Sequence, residues 1–150
     1  MIERNQRDQY AQLLRDFLQG KINNFDYDDA YNEIDFESDE AINQIYCDVW
    51  HYYCDLRKHK LTDPGWGFDS KESRRVIIRF ILFLHSNLEY EWPIASLKNT
   101  LLKILTLGAY PRQPAGHDKP TGDQSVWPFY RSSDYEQALS NPRFLNGHCI

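Results

Sequence analysis

Residues 70–86 read SKESRRVIIRFILFLHS, and this stretch decides the fold class. In its second half, apolar residues cover much of the circumference that an α-helix would present. Ser70 or Asp69 can cap the start of such a helix with a side-chain oxygen. The spacing therefore predicts a central, largely buried helix over 71–86, against which other helices pack.

The first thirty-four residues predict two further helices. The first covers 4–19, where apolar residues recur at helical spacing, and Gly20 is placed to end it. The second is shorter, lies within 22–34, and is entered through Asn23 or Asn24 as its N-cap.

A third helix is predicted between these and the central one. Ser38 is its expected N-cap, and the acidic residues that follow suit the positive end of a helix dipole. The helix is expected to continue to about His59. Its apolar stripe comprises Ile42, Ile45, Tyr46, Val49, Tyr53 and Leu56.

Downstream of the central helix, residues 88–93 alternate apolar and acidic side chains and predict a short extended segment. Pro93 suits the first turn of a helix that ends at Gly108. Residues 109–125 are rich in Pro and Gly and predict a long loop. A short last helix is expected over 134–139.

This pattern predicts an all-α fold: a compact bundle of five or six helices with a long Pro/Gly-rich loop near the C-terminus. At 150 residues, 41% of them hydrophobic and 26% charged, the chain is expected to form one globular domain over 1–150. The polar start shows no secretory signal, and the longest apolar run is too short to cross a bilayer. Three cysteines do not indicate a disulfide framework, so we expect a cytoplasmic protein without a membrane partner.

Charge is distributed unevenly along the chain. Residues 1–56 contain 13 acidic and 4 basic side chains, whereas residues 57–150 contain 9 acidic and 13 basic ones. Eight acids between positions 26 and 40 have no Lys or Arg among them, which disfavours nucleic acid as a partner. The block is either a solvated face or an acidic binding surface. In the second case the partner-binding residues are Asp26, Asp28, Asp29, Glu33, Asp35, Glu37, Asp39 and Glu40, with Tyr27 and Tyr31 as exposed anchors.

One group of residues has the composition of a metal site. Cys47, His51 and Cys54 would share a face of the third helix, and His148 or Cys149 could complete a zinc site from the tail. The alternative is a second buried helix face, because no second ligand pair is present at zinc-site spacing. A Cys/His nucleophile would also lack an orienting third group. We therefore expect neither a metal, nor a cofactor, nor an enzyme.

Two carboxylates offer a second chemical possibility. Glu89 and Glu91 flank Tyr90 and would share one side of an extended segment, which could make them an acid–base pair. The alternative is that Leu88, Tyr90 and Trp92 pack inward while both glutamates face water. The alternation favours the second interpretation.

Three stretches carry a resemblance to a known group of proteins. Residues 88–93 (LEYEWP), residues 17–26 (FLQGKINNFD) and residues 81–84 (ILFL) together resemble small bacterial proteins. Some of these are similar to immunity proteins of polymorphic or contact-dependent toxin systems. The resemblance covers roughly the first two-thirds of the chain. It transfers no functional residue.

The resemblance implies an immunity protein that binds and neutralises a cognate antibacterial toxin domain, and the acidic surface favours a nuclease as that toxin. An acidic, aromatic-bearing surface suits the basic cleft of such an enzyme. Two alternatives stay open: a metal-binding or enzymatic module centred on Cys47, His51 and Cys54, and a structural adaptor subunit. An adaptor would occur in a constant multi-subunit assembly, whereas an immunity protein would bind one toxin.

Overall fold

The computed structural model describes residues 2–34, 39–64, 70–93 and 122–141. Within these ranges the chain forms five α-helices and no strand, which confirms the all-α prediction. The helices are α1 (Arg4–Leu18), α2 (Asn24–Asn32), α3 (Glu40–Val49), α4 (Lys71–His85) and α5 (Ser132–Leu139). A short 3-10 turn follows α3 (Trp50–Tyr52), and another precedes α5 (Gln124–Val126).

Two predicted features lie outside the described residues. These are the helix expected to start at Pro93 and most of the Pro/Gly-rich loop over 109–125. The C-terminal candidates His148 and Cys149 are also outside. None of the helices in the described part combines the length and apolar character that a bilayer crossing requires.

α4 lies at the centre of the bundle, as its sequence predicts. The backbone N–H of Ser73 donates to the side-chain oxygen of Ser70 at 3.0 Å, so Ser70 is the N-cap. Every side chain from Phe80 to His85 is buried, and the helix contacts α1, α3 and α5. Each fully buried large apolar side chain stabilises the fold by about 1.5–3 kcal/mol, which makes α4 the main source of core area.

α1 ends where the sequence predicts. Gly20 has a φ of +66°, a left-handed conformation that glycine adopts without steric cost. Its backbone N–H donates to the carbonyl of Phe17 at 3.0 Å, and that of Lys21 donates to the carbonyl of Asp16 at 2.9 Å. A Cβ at Gly20 would collide with the side chain of Thr62, so this turn also fixes the approach of a distant loop.

α2 is entered through Asn23, one of the two predicted caps. The side-chain oxygen of Asn23 accepts hydrogen bonds from the backbone of Phe25 at 2.9 Å and of Asp26 at 3.2 Å. The Asp26 carboxylate accepts the backbone N–H of Asn23 in return, at 3.3 Å. This reciprocal capping box lets a helix of only nine residues form in an acidic segment.

α3 is shorter than predicted, and the expected helix to His59 is wrong. The α-helix ends at Val49, the 3-10 turn ends at Tyr52, and Tyr53 is extended with φ −107° and ψ 149°. Leu56, placed by the sequence on the apolar stripe, is 91% exposed. The N-cap is Asp39, one residue later than the predicted Ser38.

The buried side chain of Asn24 explains the early end of α3. Its amide nitrogen donates to the carbonyl oxygens of Cys54 at 2.7 Å and Arg57 at 3.0 Å. Its amide oxygen accepts the backbone N–H of His59 at 2.9 Å. These three bonds satisfy backbone groups of the 54–59 segment, so the chain gains more by wrapping around the start of α2 than by continuing as a helix.

A buried ion pair joins α1 to the start of α3. Arg7 Nε lies 2.7 Å from the Asp39 carboxylate, and both side chains are almost fully buried. Asp39 also accepts the backbone N–H of Ala41 at 3.1 Å, which caps α3. Arg7 in turn donates to the carbonyl of Leu88 at 2.7 Å, and its guanidinium lies 5.4 Å from the ring centroid of Phe83. One arginine therefore holds three parts of the chain together.

Candidate protein-binding surface

The acidic run does not form one surface. Its exposed members in the described part of the chain are Asp26, Asp29 and Glu33, while Asp28 and Glu40 are partly exposed. Asp39 is buried against Arg7, so its predicted role at the surface is wrong. Asp35 and Glu37 lie outside the described residues.

The two predicted aromatic anchors are in the core. Tyr27 and Tyr31 are 1% and 3% exposed, so the expectation that they are exposed is wrong. The hydroxyls of Tyr27 and Tyr10 share a hydrogen bond of 2.7 Å, and the ring of Tyr31 packs edge-on against Tyr10 at 5.4 Å. Phe17 stacks on Tyr27 at 4.7 Å. Burial, and then the neighbouring tyrosines, raises the pKa of the Tyr10 hydroxyl well above its ordinary value.

The spacing of these residues could have predicted their burial. Asn24, Tyr27 and Tyr31 stand at positions i, i+3 and i+7, which place them on one face of a helix. Asp26 and Asp29 occupy the other face and are exposed, whereas Asp28, four residues after Asn24, is only partly exposed. The total charge of the segment does not show which of its residues are exposed, because it takes no account of helical period.

Different aromatic residues reach the surface beside these acids. Trp50 is 41% exposed and Phe25 is 38% exposed, and the partly buried Tyr53 lies between them. Ring centroids are 4.6 Å apart for Trp50 and Tyr53 and 6.2 Å apart for Phe25 and Tyr53. Tyr46 packs edge-on against Trp50 at 5.8 Å from beneath, which fixes the orientation of the exposed indole.

Three carboxylates adjoin these rings. Burial raises the pKa of the Tyr53 hydroxyl, and neighbouring carboxylates raise it further: Asp28, Asp55 and Asp29. The Tyr46 hydroxyl donates to Asp28 at 2.7 Å, which holds this carboxylate beside the rings. In the part of the chain that the structure describes, none of the three forms an ion pair with Lys or Arg. We call Phe25, Trp50 and Tyr53 with Asp28, Asp29 and Asp55 the acidic aromatic surface.

The sequence indicated the acidic half of this surface but not its aromatic half. Trp50 and Tyr53 reach it because α3 stops at Val49, and the non-helical segment that follows is held by Asn24, which bonds to Cys54 thirty residues along the chain. Asp55 belongs to the surface for the same reason. Phe25 carried a local signal, since it stands two residues after the N-cap and outside the Asn24/Tyr27/Tyr31 face.

The proposed metal-ligating face does not form. Cys47 and His51 are exposed and Cys54 is partly exposed, but only Cys47 lies in α3, while Cys54 lies beyond the 3-10 turn. His51 Nδ1 instead lies 2.8 Å from the carbonyl oxygen of Asp48. Across the described ranges, no three His, Cys, Asp or Glu side chains gather closely enough to hold a metal ion.

The two glutamates of the 88–93 segment point to solvent, as the favoured interpretation expects. Trp92 is buried, whereas Glu89 and Glu91 are exposed. Both carboxylate oxygens of Glu91 accept hydrogen bonds from Arg131, each at 2.9 Å. A carboxylate engaged in this bidentate pair supports a structural role rather than acid–base chemistry.

Comparison of the chain with protein-family models, with curated proteins and with solved structures gives no match.

Proposed function

We propose that the protein is a binding module that holds a basic protein partner on the acidic aromatic surface. The observation that carries the proposal is the half-exposed Trp50, supported from below by Tyr46 and flanked by Tyr53. Tryptophan and tyrosine dominate the free energy of many protein interfaces, because a rigid ring supplies large contact area at low entropic cost. The adjoining carboxylates would steer a basic partner and orient it.

The specific function that we propose is immunity: the protein binds and neutralises a cognate toxin domain. The class of toxin that we propose is a nuclease. The resemblance supplies the class of partner, and the charge supplies the preference for a nuclease. A nuclease cleft must be basic to hold phosphates, so an acidic surface with a central aromatic anchor complements it. Blocking such a cleft requires no catalytic residue in the inhibitor.

A pair of matched substitutions tests the surface. Trp50→Ala should weaken binding of the purified partner by roughly 30-fold or more, the effect expected of a central interface residue. Leu139→Ala is the control, because Leu139 is 44% exposed on α5, which is not part of the surface. Asp29→Lys should slow association and reduce its dependence on salt, whereas Glu136→Lys on α5 should not.

The partner itself is obtained by affinity purification from the native host, with the wild type, Trp50→Ala and Leu139→Ala in parallel. The proposal expects a stoichiometric partner that the wild type and Leu139→Ala retain and that Trp50→Ala loses. Expressed alone, this partner should be toxic, and co-expression of the wild type should protect. If Trp50→Ala and Asp29→Lys bind like the wild type, the surface is misassigned. A non-toxic, permanent multi-subunit assembly would indicate the adaptor function instead.

A further inference from the structure

A groove of about 730 Å³ lies beside α4, and none of its lining residues belongs to the acidic aromatic surface. It is bounded by the end of α3, by α4, by the segment that contains Tyr90 and Trp92, and by the 3-10 turn before α5. Four aromatic side chains line it: Tyr52, Tyr90, Trp92 and Trp127. Clefts of roughly 300–1,000 Å³ with mainly apolar walls are typical of small-molecule sites.

The aromatic walls are held in place by hydrogen bonds and ring contacts. The indole N–H of Trp127 donates to the hydroxyl of Tyr90 at 3.2 Å, and the Trp127 ring packs edge-on against Phe80 at 5.3 Å. The indole N–H of Trp92 donates to the carbonyl of Pro128 at 3.0 Å. Because Tyr90, Trp92 and Trp127 are held in this way in the free protein, a flat ligand would bind against them with little ordering cost.

One cation lines the groove with unused hydrogen-bonding capacity. Arg79 projects from α4, and its Nη1 donates to the carbonyl of Ser125 at 2.6 Å. Its Nε is buried and finds no acceptor in the described part of the chain. A ligand in the groove cannot reach that buried nitrogen, so the donor left for an acidic group is Nη2, which forms no hydrogen bond in the described part of the chain.

The groove also carries one carboxylate, Asp48, and one imidazole, His51. Asp48, His51 and Arg79 all line the groove. Burial raises the pKa of Asp48, and the charges of His51 and Arg79 partly oppose that rise. The preference for an anion therefore rests on the guanidinium of Arg79, because the imidazole of His51, 3.8 Å from the Asp48 carboxylate, offsets that negative charge only when it is protonated.

We propose that this groove binds a small planar anion, such as an aromatic carboxylate, with its ring between the aromatic walls and its acidic group on Arg79. The site is independent of the acidic aromatic surface. His51 and Tyr52 line the groove, and they follow Trp50 directly in the same 3-10 turn. The proposed immunity function is not required for this binding.

The test uses two probes of equal shape, naphthalene-2-carboxylate and the neutral naphthalene-2-carboxamide, measured by calorimetry and by quenching of tryptophan fluorescence. The carboxylate should bind the wild type roughly 10- to 100-fold more tightly than the amide, the range for a hydrogen bond to a charged group. Arg79→Gln should abolish that preference. Arg74→Gln, at an exposed arginine on the same helix, should preserve it.

A second pair of variants guards against a folding defect in Arg79→Gln. Gln124 is exposed and lines the groove, so Gln124→Glu adds a repelling charge without disturbing the core. It should weaken carboxylate binding several-fold, whereas Gln137→Glu, at an exposed position on α5, should not. The proposal is overturned if neither probe binds the wild type at millimolar concentration. It is also overturned if Arg79→Gln binds the carboxylate as well as Arg74→Gln does, and Gln124→Glu as well as Gln137→Glu does.

Discussion

Asp39 and Asp29 belong to the same acidic run, yet the fold gives them opposite roles. Asp39 is 1% exposed, accepts a hydrogen bond from Arg7 at 2.7 Å and caps α3. Asp29 is exposed on α2 and forms no ion pair within the described ranges. The difference teaches that net charge along a segment does not identify the carboxylates available to a partner. Their position relative to a helix start, and to a distant cation, does.

The largest expected effect is the loss of stability when Asp39, the buried carboxylate, is replaced. Asp39→Ala removes the partner of Arg7 and the N-cap of α3 together, and should cost about 3–5 kcal/mol of stability because a buried charge is left uncompensated. Asp29→Ala should change stability by less than about 0.5 kcal/mol, as exposed substitutions usually do. Urea unfolding followed by circular dichroism measures both. Equal losses in the two variants would show that burial does not separate these carboxylates.

Histidine residues allow a second comparison between a buried and an exposed position. His85 is buried at the end of α4, and its Nδ1 lies 3.2 Å from the Asp8 carboxylate. Burial lowers the pKa of His85 from 6.5 to about 4, with Arg15 and Arg4 acting in the same direction and Asp8 against it. His51 is exposed on the 3-10 turn.

The direction of the pH effect follows from these values. The unfolded chain takes up the His85 proton near pH 6.5, whereas the folded protein takes it up only near pH 4. The neutral His85 therefore contributes its full stabilisation above pH 6.5. This contribution to the free energy of unfolding falls between pH 6.5 and pH 4, by at most about 3 kcal/mol. Denaturant titrations across this range should show a shallower decline for His85→Gln than for the wild type. His51→Gln should follow the wild type, and a parallel decline in all three would contradict the assignment.

Local signals were sufficient to predict the central part of the fold. The apolar spacing of α4, the Ser70 cap, the Gly20 turn and the Asn23 cap each act over a few residues, and each occurs where the sequence predicts it. The end of α3 could not be predicted in this way. It depends on Asn24, whose amide bonds to the 54–59 segment are made only once the two elements meet.

The candidate surface was only partly predictable for the same reason. Asp28 and Asp29 were expected at the surface from charge alone, and both retain exposure. Trp50 and Tyr53 were assigned to a continuing helix, so their exposure follows from a tertiary contact rather than from their own neighbours. The burial of Tyr27 follows from helical period, which places it on one face with Asn24 and Tyr31.

Tyr27 and Tyr53 provide the smallest and sharpest test, because the same deletion of one hydroxyl should have different effects in the core and at the surface. Tyr27→Phe leaves the Tyr10 hydroxyl without the 2.7 Å hydrogen bond that Tyr27 supplies, and should cost about 1–3 kcal/mol. The Tyr53 hydroxyl forms no hydrogen bond in the described part of the chain, so Tyr53→Phe should change stability by less than about 0.5 kcal/mol. Thermal and urea unfolding measure these changes, and affinity for the purified partner provides the second readout.

A Tyr27→Phe protein that remains folded should bind like the wild type, since the hydroxyl lies in the core. If Tyr27→Phe weakened binding while stability was unchanged, the Tyr27 hydroxyl would have to contact the partner. The assignment of Tyr27 to the core and of Tyr53 to the surface would then be wrong.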